Sequence, residues 1–257
     1  MTRKPSSGHE NAQRAAERAA ELRQENEAKE RRRRAVAVSV VVVGVIAAML
    51  AIGFAVRSTS RDRQVATPPA GVVNTWAVPY GNASAPVKVA VYEDFMCPFC
   101  GQFEAASRPV LQKYVDQGRV QVQYHVISFL DRASNNTRYS TRAMNALAVV
   151  LDTAGPQAAK TFHDLLYEHQ PAESTAGLSD EQLVDLAVRA GADKGEVSGP
   201  ISSLKFEPWV ENATKASADA GVTGTPTVKV DGKVLQAPTI DQMVASLQQA
   251  IQQRVND

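Results

Sequence analysis

The sequence predicts an α/β fold with a helical subdomain inserted into it and one transmembrane helix before it. Three observations lead to this prediction. From residue 72 onward, apolar strand-like runs alternate with helical patterns. The only two cysteines among the 257 residues form a C-x-x-C motif where an apolar strand passes into a helix. Residues 35–56 carry no charge and are numerous enough to cross a bilayer.

The N-terminal region is divided by its charges. Residues 1–34 are polar and rich in Arg, Glu, Gln and Ala, which predicts a cytoplasmic tail. A helix over 35–56 would span about 33 Å, against about 30 Å of hydrocarbon in a bilayer. A cleaved signal peptide is the alternative, although its apolar region and charged lead are normally shorter. Residues 57–71 have the composition of a linker to a domain over 72–257.

The flanks of the apolar stretch predict its orientation. Arg31–Arg34 precede it, whereas three arginines and an aspartate follow it within residues 57–63. The flank with more positive charge normally stays in the cytoplasm. We therefore expect a single-pass protein of the cell membrane whose C-terminal domain lies outside the cytoplasm. The net charge of +1 gives no indication of a nucleic-acid partner.

The domain is expected to begin with strands and one helix. Residues 72–78 predict a short edge strand, and Pro79–Asn82 a turn. The apolar run 87–94 is typical of a central strand. A helix is expected over about 97–117, followed by a second long strand over 119–130.

A helical region is expected between about residues 134 and 220. Four helices are predicted there, at about 140–152, 157–169, 179–191 and 207–220. These are more helices than a simple strand–helix alternation needs, so we interpret the region as an inserted subdomain. Asp231–Gly232 between alternating apolar residues then predicts a β-hairpin, and a last helix is expected over about 240–254.

Cys97 and Cys100 form the predicted chemical centre. A helix N-terminus leaves N–H groups unpaired and favours an anion, which would lower the pKa of Cys97. Cys100 follows by about one helical turn, so its sulfur can reach Cys97 and resolve a mixed disulfide. Pro98 suits the first turn because the N–H that it lacks would be unpaired there. This arrangement is typical of a thioredoxin-like redox site.

Two other interpretations of the motif stay open. As half of a zinc site it would need further ligands, but the sequence has no other cysteine and no histidine pair with ligand spacing. We therefore expect no metal and no cofactor. As an inert structural disulfide it would close a very short loop, which constrains the unfolded chain little.

Three segments resemble a known family. They are GNASAPV at residues 81–87, DFMCPFC at 94–100 and TGTP at 223–226. They are similar to segments of the DsbA-like thiol:disulfide oxidoreductases, in the membrane-anchored form found in many bacteria. The resemblance covers about residues 72–257 and includes the position of the helical insertion.

The resemblance implies roles for the matching residues. Cys97 would attack and carry the mixed disulfide, Cys100 would resolve it, and Pro98–Phe99 lie where family members tune the reduction potential. Pro226 would be cis and face the Cys97 sulfur. The backbone of Thr225 would pair with an extended substrate, and the insertion would form one wall of the peptide groove.

The sequence departs from the family pattern beneath this site. Many members have a buried Glu six residues before the first cysteine, where this chain has Val91. Glu93 and Asp94 are the nearest acids and the candidates for a proton relay. Neighbouring residues of a strand point to opposite faces, so the two would diverge. We interpret both as structural or solvated side chains.

The resemblance implies an extracytoplasmic oxidase that introduces disulfides into exported proteins. Thiols of exported proteins would be its substrates, and a quinone-linked membrane protein would re-oxidise it. A reductase or isomerase of the same fold is one alternative, disfavoured because the chain has no second C-x-x-C to deliver electrons. A non-catalytic, membrane-tethered peptide-binding module is the other.

Overall fold

A computed structural model describes residues 66–256, in which an α/β domain carries a helical insertion. The predicted cytoplasmic tail (1–34) and transmembrane helix (35–56) lie outside the described residues. Between residues 66 and 256, no helix combines the length and the apolar character that a membrane crossing requires.

A five-stranded sheet forms the centre of the domain, in the order β1–β3–β2–β4–β5. Its strands, β1 to β5, are Val78–Tyr80, Val87–Glu93, Val120–Val126, Thr227–Val230 and Lys233–Val234. The central strand β2 runs parallel to β3 and antiparallel to β4. Tyr92 near the end of β2 pairs with Thr227 at the start of β4, which brings the loop before β4 to the carboxyl end of β2.

Helices cover the sheet and fill the insertion. Helices α1 to α6 are Pro98–Asp116, Tyr139–Glu168, Asp180–Arg189, Lys194–Ser202, Glu207–Asp219 and Ile240–Asn256. α1 and α6 pack against each other, with α1 also against β3 and α6 against β2 and β4. The insertion, α2 to α5, lies between β3 and β4 in the chain, and its long helix α2 packs against β1. Of these helices, α1 thus lies against β3 and α2 against the edge strand β1.

The insertion follows the prediction with one difference, an additional helix. The predicted break is confirmed, because Gly155 has non-helical angles (φ 80°, ψ 178°) and divides α2 into two helical parts. α3 begins after Ser179 with a capping box. The helix α4 was not predicted, because Gly195, Gly199 and Pro200 lower its helix propensity. The side chain of Asp193 compensates by accepting hydrogen bonds from the first N–H groups of α4.

The edge strand was predicted wrongly. In the predicted strand 72–78, an isolated bridge joins Val73 to Ala77, and β1 begins only at Val78. Pro79, expected in a turn, lies inside β1, which pairs on one side only with β3. An edge strand tolerates proline because the missing N–H need not join a ladder.

The C-terminal hairpin prediction is confirmed. Asp231 and Gly232 both have positive φ, 45° and 80°, as a two-residue type I′ turn requires. The predicted last helix is α6, whose Leu247 and Ile251 are fully buried. Hairpin and helix together hold β4 beside β2, and with it the loop that precedes β4.

Candidate active site

The two cysteines lie between β2 and α1, as predicted. Cys97 is the N-cap of α1, and Pro98 is the first helical residue. The Cys97 carbonyl accepts hydrogen bonds from the N–H groups of Cys100 (3.0 Å) and Gly101 (3.2 Å). Both cysteines are free thiols, with Cys97 5% exposed and Cys100 fully buried. An incoming thiol can therefore approach Cys97 but not Cys100.

The two thiols differ strongly in acidity. A hydrogen bond from the Cys100 thiol, opposed by burial and assisted by the Thr225 side chain and by backbone N–H groups, lowers the pKa of Cys97 to about 6. Burial, reinforced by Cys97 and by the charge of Glu93, raises the pKa of Cys100 well above its usual value. At neutral pH the pair therefore consists of a thiolate at Cys97 and a thiol at Cys100.

The loop before β4 faces the reactive sulfur. The peptide bond between Thr225 and Pro226 is cis, as expected. The Thr225 carbonyl oxygen lies 3.5 Å from Cys97 Sγ. An extended segment that pairs with the backbone of Thr225 would pass directly over that sulfur.

A pocket of about 410 Å³ opens beside this loop. Phe99, which is 60% exposed, lines it together with Gln102 of α1, Thr225 and Pro226. Its remaining wall consists of residues in the segment 237–243.

The insertion holds the cysteine loop through Gln170, which follows α2. Gln170 Nε2 donates hydrogen bonds to the carbonyls of Phe95 (3.1 Å) and Cys97 (2.9 Å). A Cβ atom at Gly101 would lie 2.2 Å from Gln170 Oε1, so the glycine makes room for this amide. Gln170 therefore fixes the start of α1 from outside the helix.

Replacing Gln170 with alanine is expected to loosen this loop. Losing two hydrogen bonds should cost about 1–2 kcal/mol in the free energy of unfolding. The N–H groups at the start of α1 would also point less accurately at the Cys97 sulfur and would stabilise its thiolate less. The pH midpoint of Cys97 alkylation by iodoacetamide should therefore rise. His169→Ala, at the exposed neighbour, is the control. An unchanged alkylation midpoint in Gln170→Ala would contradict the positioning role.

Asp94 ties three elements together. It is fully buried, and it accepts hydrogen bonds from the N–H groups of Met96 and Leu130 (both 2.9 Å) and from the Ser140 hydroxyl (2.7 Å). Leu130 lies beyond the sheet, because β3 ends at Val126 and not near residue 130 as predicted. Burial raises the pKa of Asp94 to about 6. These contacts favour a structural role over a proton relay.

The side chain of Glu93 points away from that of Asp94, as predicted, but it is not exposed to solvent. It is fully buried, and its Oε1 lies 2.5 Å from Nε2 of His163 on α2. Its Oε2 has no hydrogen-bond partner among the described residues. Of the two alternatives in that prediction, structural or solvated, the structure therefore favours the structural one for both acids, because both side chains are fully buried.

Besides Gln170, sequence reasoning missed Glu104 and His163. Glu104 follows Cys100 by four residues on α1 and is 1% exposed, so helical periodicity could have identified it. His163 carries no comparable signal, because only the packing of α2 brings it to β2. The polar atoms of Glu93, Glu104 and His163 lie within 4.8 Å of one another.

These three side chains have the chemistry of metal ligands but not the geometry. Two ligands of one tetrahedral zinc lie roughly 3.3 Å apart, given bonds of about 2.0 Å. Glu93 Oε1 and His163 Nε2 are closer, at 2.5 Å, and are joined by a hydrogen bond. The three residues therefore form a buried polar cluster in which Glu93 and His163 share a hydrogen bond.

Comparison with known proteins agrees with this geometry. A family model described as Thioredoxin matches residues 74–249. The solved structure of reduced DsbA from Mycobacterium tuberculosis is 32% identical, with a TM-score of 0.58, and the match covers 70% of this chain and 98% of that one.

Two further relatives differ in length from this chain. The serine/threonine-protein kinase PknE of Mycobacterium tuberculosis is 30% identical over 154 residues, which are 58% of this chain and 27% of the kinase. The chain thus spans about a quarter of that relative. Disulfide bond formation protein D of Bacillus subtilis is 25% identical over 158 residues, which are 61% of this chain and 68% of that protein.

Proposed function

We propose that this chain, which belongs to the DsbA-like thiol:disulfide oxidoreductases of the thioredoxin family, introduces disulfide bonds into exported proteins. The unequal acidity of Cys97 and Cys100 carries this proposal. A thiolate that is stable at neutral pH is a good leaving group, and it favours the reduced enzyme over the oxidised one. The oxidised form is therefore an electron acceptor.

The geometry supports a two-step exchange. A client thiolate attacks Cys97 Sγ, because Cys100 is fully buried. The Cys97–Cys100 bond breaks, its electron pair stays on Cys100, and a mixed disulfide joins the client to Cys97. A second client thiolate then attacks the client sulfur, and Cys97 leaves as a thiolate. Two electrons have passed from the client to the cysteine pair.

The docking surface supports a peptide substrate. The backbone of Thr225 beside Cys97 can pair with an extended client segment, and the pocket next to Phe99 can receive a client side chain. An exposed aromatic ring at such a position favours apolar client residues. The same pocket would also suit a non-catalytic peptide-binding module, which is the second candidate function.

The cellular setting is part of the proposal. The arginine-rich flank at Arg31–Arg34 supports a domain outside the cytoplasm, where disulfides persist. The enzyme must be re-oxidised after each turnover, and the family resemblance supports a quinone-linked membrane protein as the acceptor.

Replacing Cys100 with alanine in cells tests the exchange. Without a resolving thiol, Cys97 should accumulate mixed disulfides with clients or with the re-oxidising partner, visible on non-reducing gels and identifiable by mass spectrometry. The double variant Cys97→Ala, Cys100→Ala is the control and should form none. Absence of any Cys97-linked adduct would contradict the proposal.

The reduction potential tests the direction of the reaction. Potentials in this superfamily run from about −120 mV for a strong oxidant to about −270 mV for thioredoxin. Equilibration with glutathione and dithiothreitol buffers should place this protein toward the oxidising end. A value below about −230 mV would favour the reductase or isomerase instead.

A further inference from the structure

Two pockets meet at the loop that faces the reactive sulfur. One is the pocket beside Phe99, and the other, of about 440 Å³, is lined by the loop before β4 and by the β4–β5 hairpin. Four residues line both pockets, namely Thr225, Pro226, Ala237 and Met243. The two pockets therefore form one groove next to Cys97.

The two pockets carry charges of opposite sign. Asp241 of α6 is the charged residue that lines the pocket beside Phe99, and Lys229 of β4 is the charged residue that lines the other. Lys229 Nζ lies 4.8 Å from the centre of the Tyr92 ring. The side chain of Asp241 is exposed, and within residues 66–256 no Lys, Arg or His forms an ion pair with it. Its carboxylate is therefore available to a cationic ligand.

The start of α6 does not depend on this carboxylate. Thr239 Oγ1 accepts a hydrogen bond from the N–H of Gln242 (3.2 Å), and the Thr239 carbonyl accepts one from the N–H of Met243 (2.9 Å). An exposed carboxylate in the first turn stabilises a helix only modestly. Asp241 can therefore be replaced without disturbing the fold.

An extended client segment places more than its cysteine in this groove. Side chains of a strand alternate between its two faces, so when the client cysteine faces Cys97, the side chains two residues away also face the protein. Each lies about 7 Å from the cysteine along the strand. The pocket beside Phe99 is lined by Thr225, whose carbonyl oxygen is 3.5 Å from Cys97 Sγ. One of these client side chains therefore lies in that pocket.

Arginine and lysine fit the chemistry of the pocket beside Phe99. Phe99, Ile240 and Met243 offer apolar surface to the aliphatic part of such a side chain. Its charged end can pair with Asp241, and a guanidinium group can also stack on the exposed Phe99 ring. A client leucine makes only the apolar contact, and a client glutamate is repelled by the carboxylate.

We propose that Asp241 determines client specificity by selecting segments with an arginine or a lysine two residues from the reactive cysteine. This inference rests on the disulfide exchange at Cys97 proposed above, but not on its direction. The other pocket repels a cation through Lys229, which leaves the pocket beside Phe99 for the basic side chain. The opposite charges of the two pockets thereby fix the direction in which a client segment crosses Cys97.

The test uses peptides whose cysteine is activated as a mixed disulfide with thionitrobenzoate. The Cys97 thiolate of the reduced, full-length protein attacks the peptide sulfur, the disulfide of the peptide breaks, and thionitrobenzoate leaves with the electron pair as a coloured anion. Arginine, leucine or glutamate stands two residues before or after the cysteine, with alanine elsewhere. Each rate is divided by the rate of the same peptide with N-acetylcysteine, which removes differences in intrinsic reactivity.

The expected result is a charge preference at one of the two peptide positions. There, Asp241→Asn should lower the ratio of the arginine rate to the glutamate rate about threefold, and Asp241→Lys about tenfold. The rate with the leucine peptide should change little. The charge of the Cys97 thiolate also favours arginine, but it is present in all three proteins and cancels. Sodium chloride at about 1 M, where the Debye length is about 3 Å, should remove most of the difference.

Asp185→Asn is the matched control. Asp185 is exposed on α3 and lines neither pocket, so its replacement removes the same charge and should leave the ratio unchanged. An arginine-to-glutamate ratio that is the same in the wild type and in Asp241→Asn at both positions would overturn the proposal. An equal loss of rate with every peptide would also overturn it, because Asp241 would then act on the fold. A protein that ranks the peptides as expected but oxidises no client would count against the proposed function alone.

Discussion

Replacing Cys97 with serine is expected to abolish disulfide formation in client proteins. A serine hydroxyl stays protonated at neutral pH and cannot form the Cys97–Cys100 disulfide, so no electron acceptor remains. We expect the rate of oxidation of a reduced test protein to fall by at least about 10³-fold, as it does when other enzymes lose their nucleophile. The measurement follows the recovery of activity of a reduced, unfolded client in a glutathione buffer.

The same variant distinguishes the enzyme from the binding module. Cys97→Ser changes one atom, and the fold is expected to persist because neither Gln170 nor Asp94 depends on the sulfur. Circular dichroism and a thermal melt check this. A folded Cys97→Ser protein that restores the cellular role of the wild type would contradict the enzymatic proposal and favour peptide binding.

The reduced form is expected to be more stable than the oxidised form, by an amount that grows with pH. The folded protein lowers the pKa of Cys97 from 9.0 to about 6, so the unfolded chain binds more protons between these values. The free energy of unfolding of the reduced form therefore rises with pH across this window. This contribution from Cys97 is lost as the pH falls through 6. The equilibrium constant of unfolding should change by up to about tenfold per pH unit.

Urea unfolding of both forms at pH 5, 7 and 8 measures this difference. Other buried acids, such as Asp94 and Glu104, titrate in both forms, so their contributions largely cancel in the comparison. Above pH 9 the trend should reverse, because the raised pKa of Cys100 opposes ionisation in the folded state. Reduced Cys97→Ala is the control, and its free energy of unfolding should not show this increase with pH. A gap between the two forms that stays constant from pH 5 to 8 would refute the lowered pKa.

The parts of the site that local chemistry dictates could be predicted from the sequence. The Cys97–Cys100 spacing, the proline at the first helical position and the Asp231–Gly232 hairpin each follow from backbone requirements within a few residues. The position of Pro226 before a β-hairpin was predicted from family resemblance, and the structure places its loop 3.5 Å from Cys97 Sγ.

The parts that depend on packing could not be predicted. Gln170 and His163 reach the site only because α2 folds back over the end of β2, and no local pattern encodes that approach. The environment of Glu93 was predicted from its strand position alone. That position determines the direction of the side chain but not which residues cover it. Pro79 and the glycines of α4 misled the prediction because tertiary contacts outweigh local propensity there.

The distance along the chain between the two halves of the site couples redox competence to synthesis of the segment that follows the insertion. Cys97 and Thr225 are 128 residues apart, so the loop that carries Thr225 to the sulfur is synthesised long after the two cysteines. A chain interrupted before β4 retains both cysteines, but it lacks the backbone edge that presents a client to them. Nascent or truncated copies therefore hold reactive thiols without the means to select a partner.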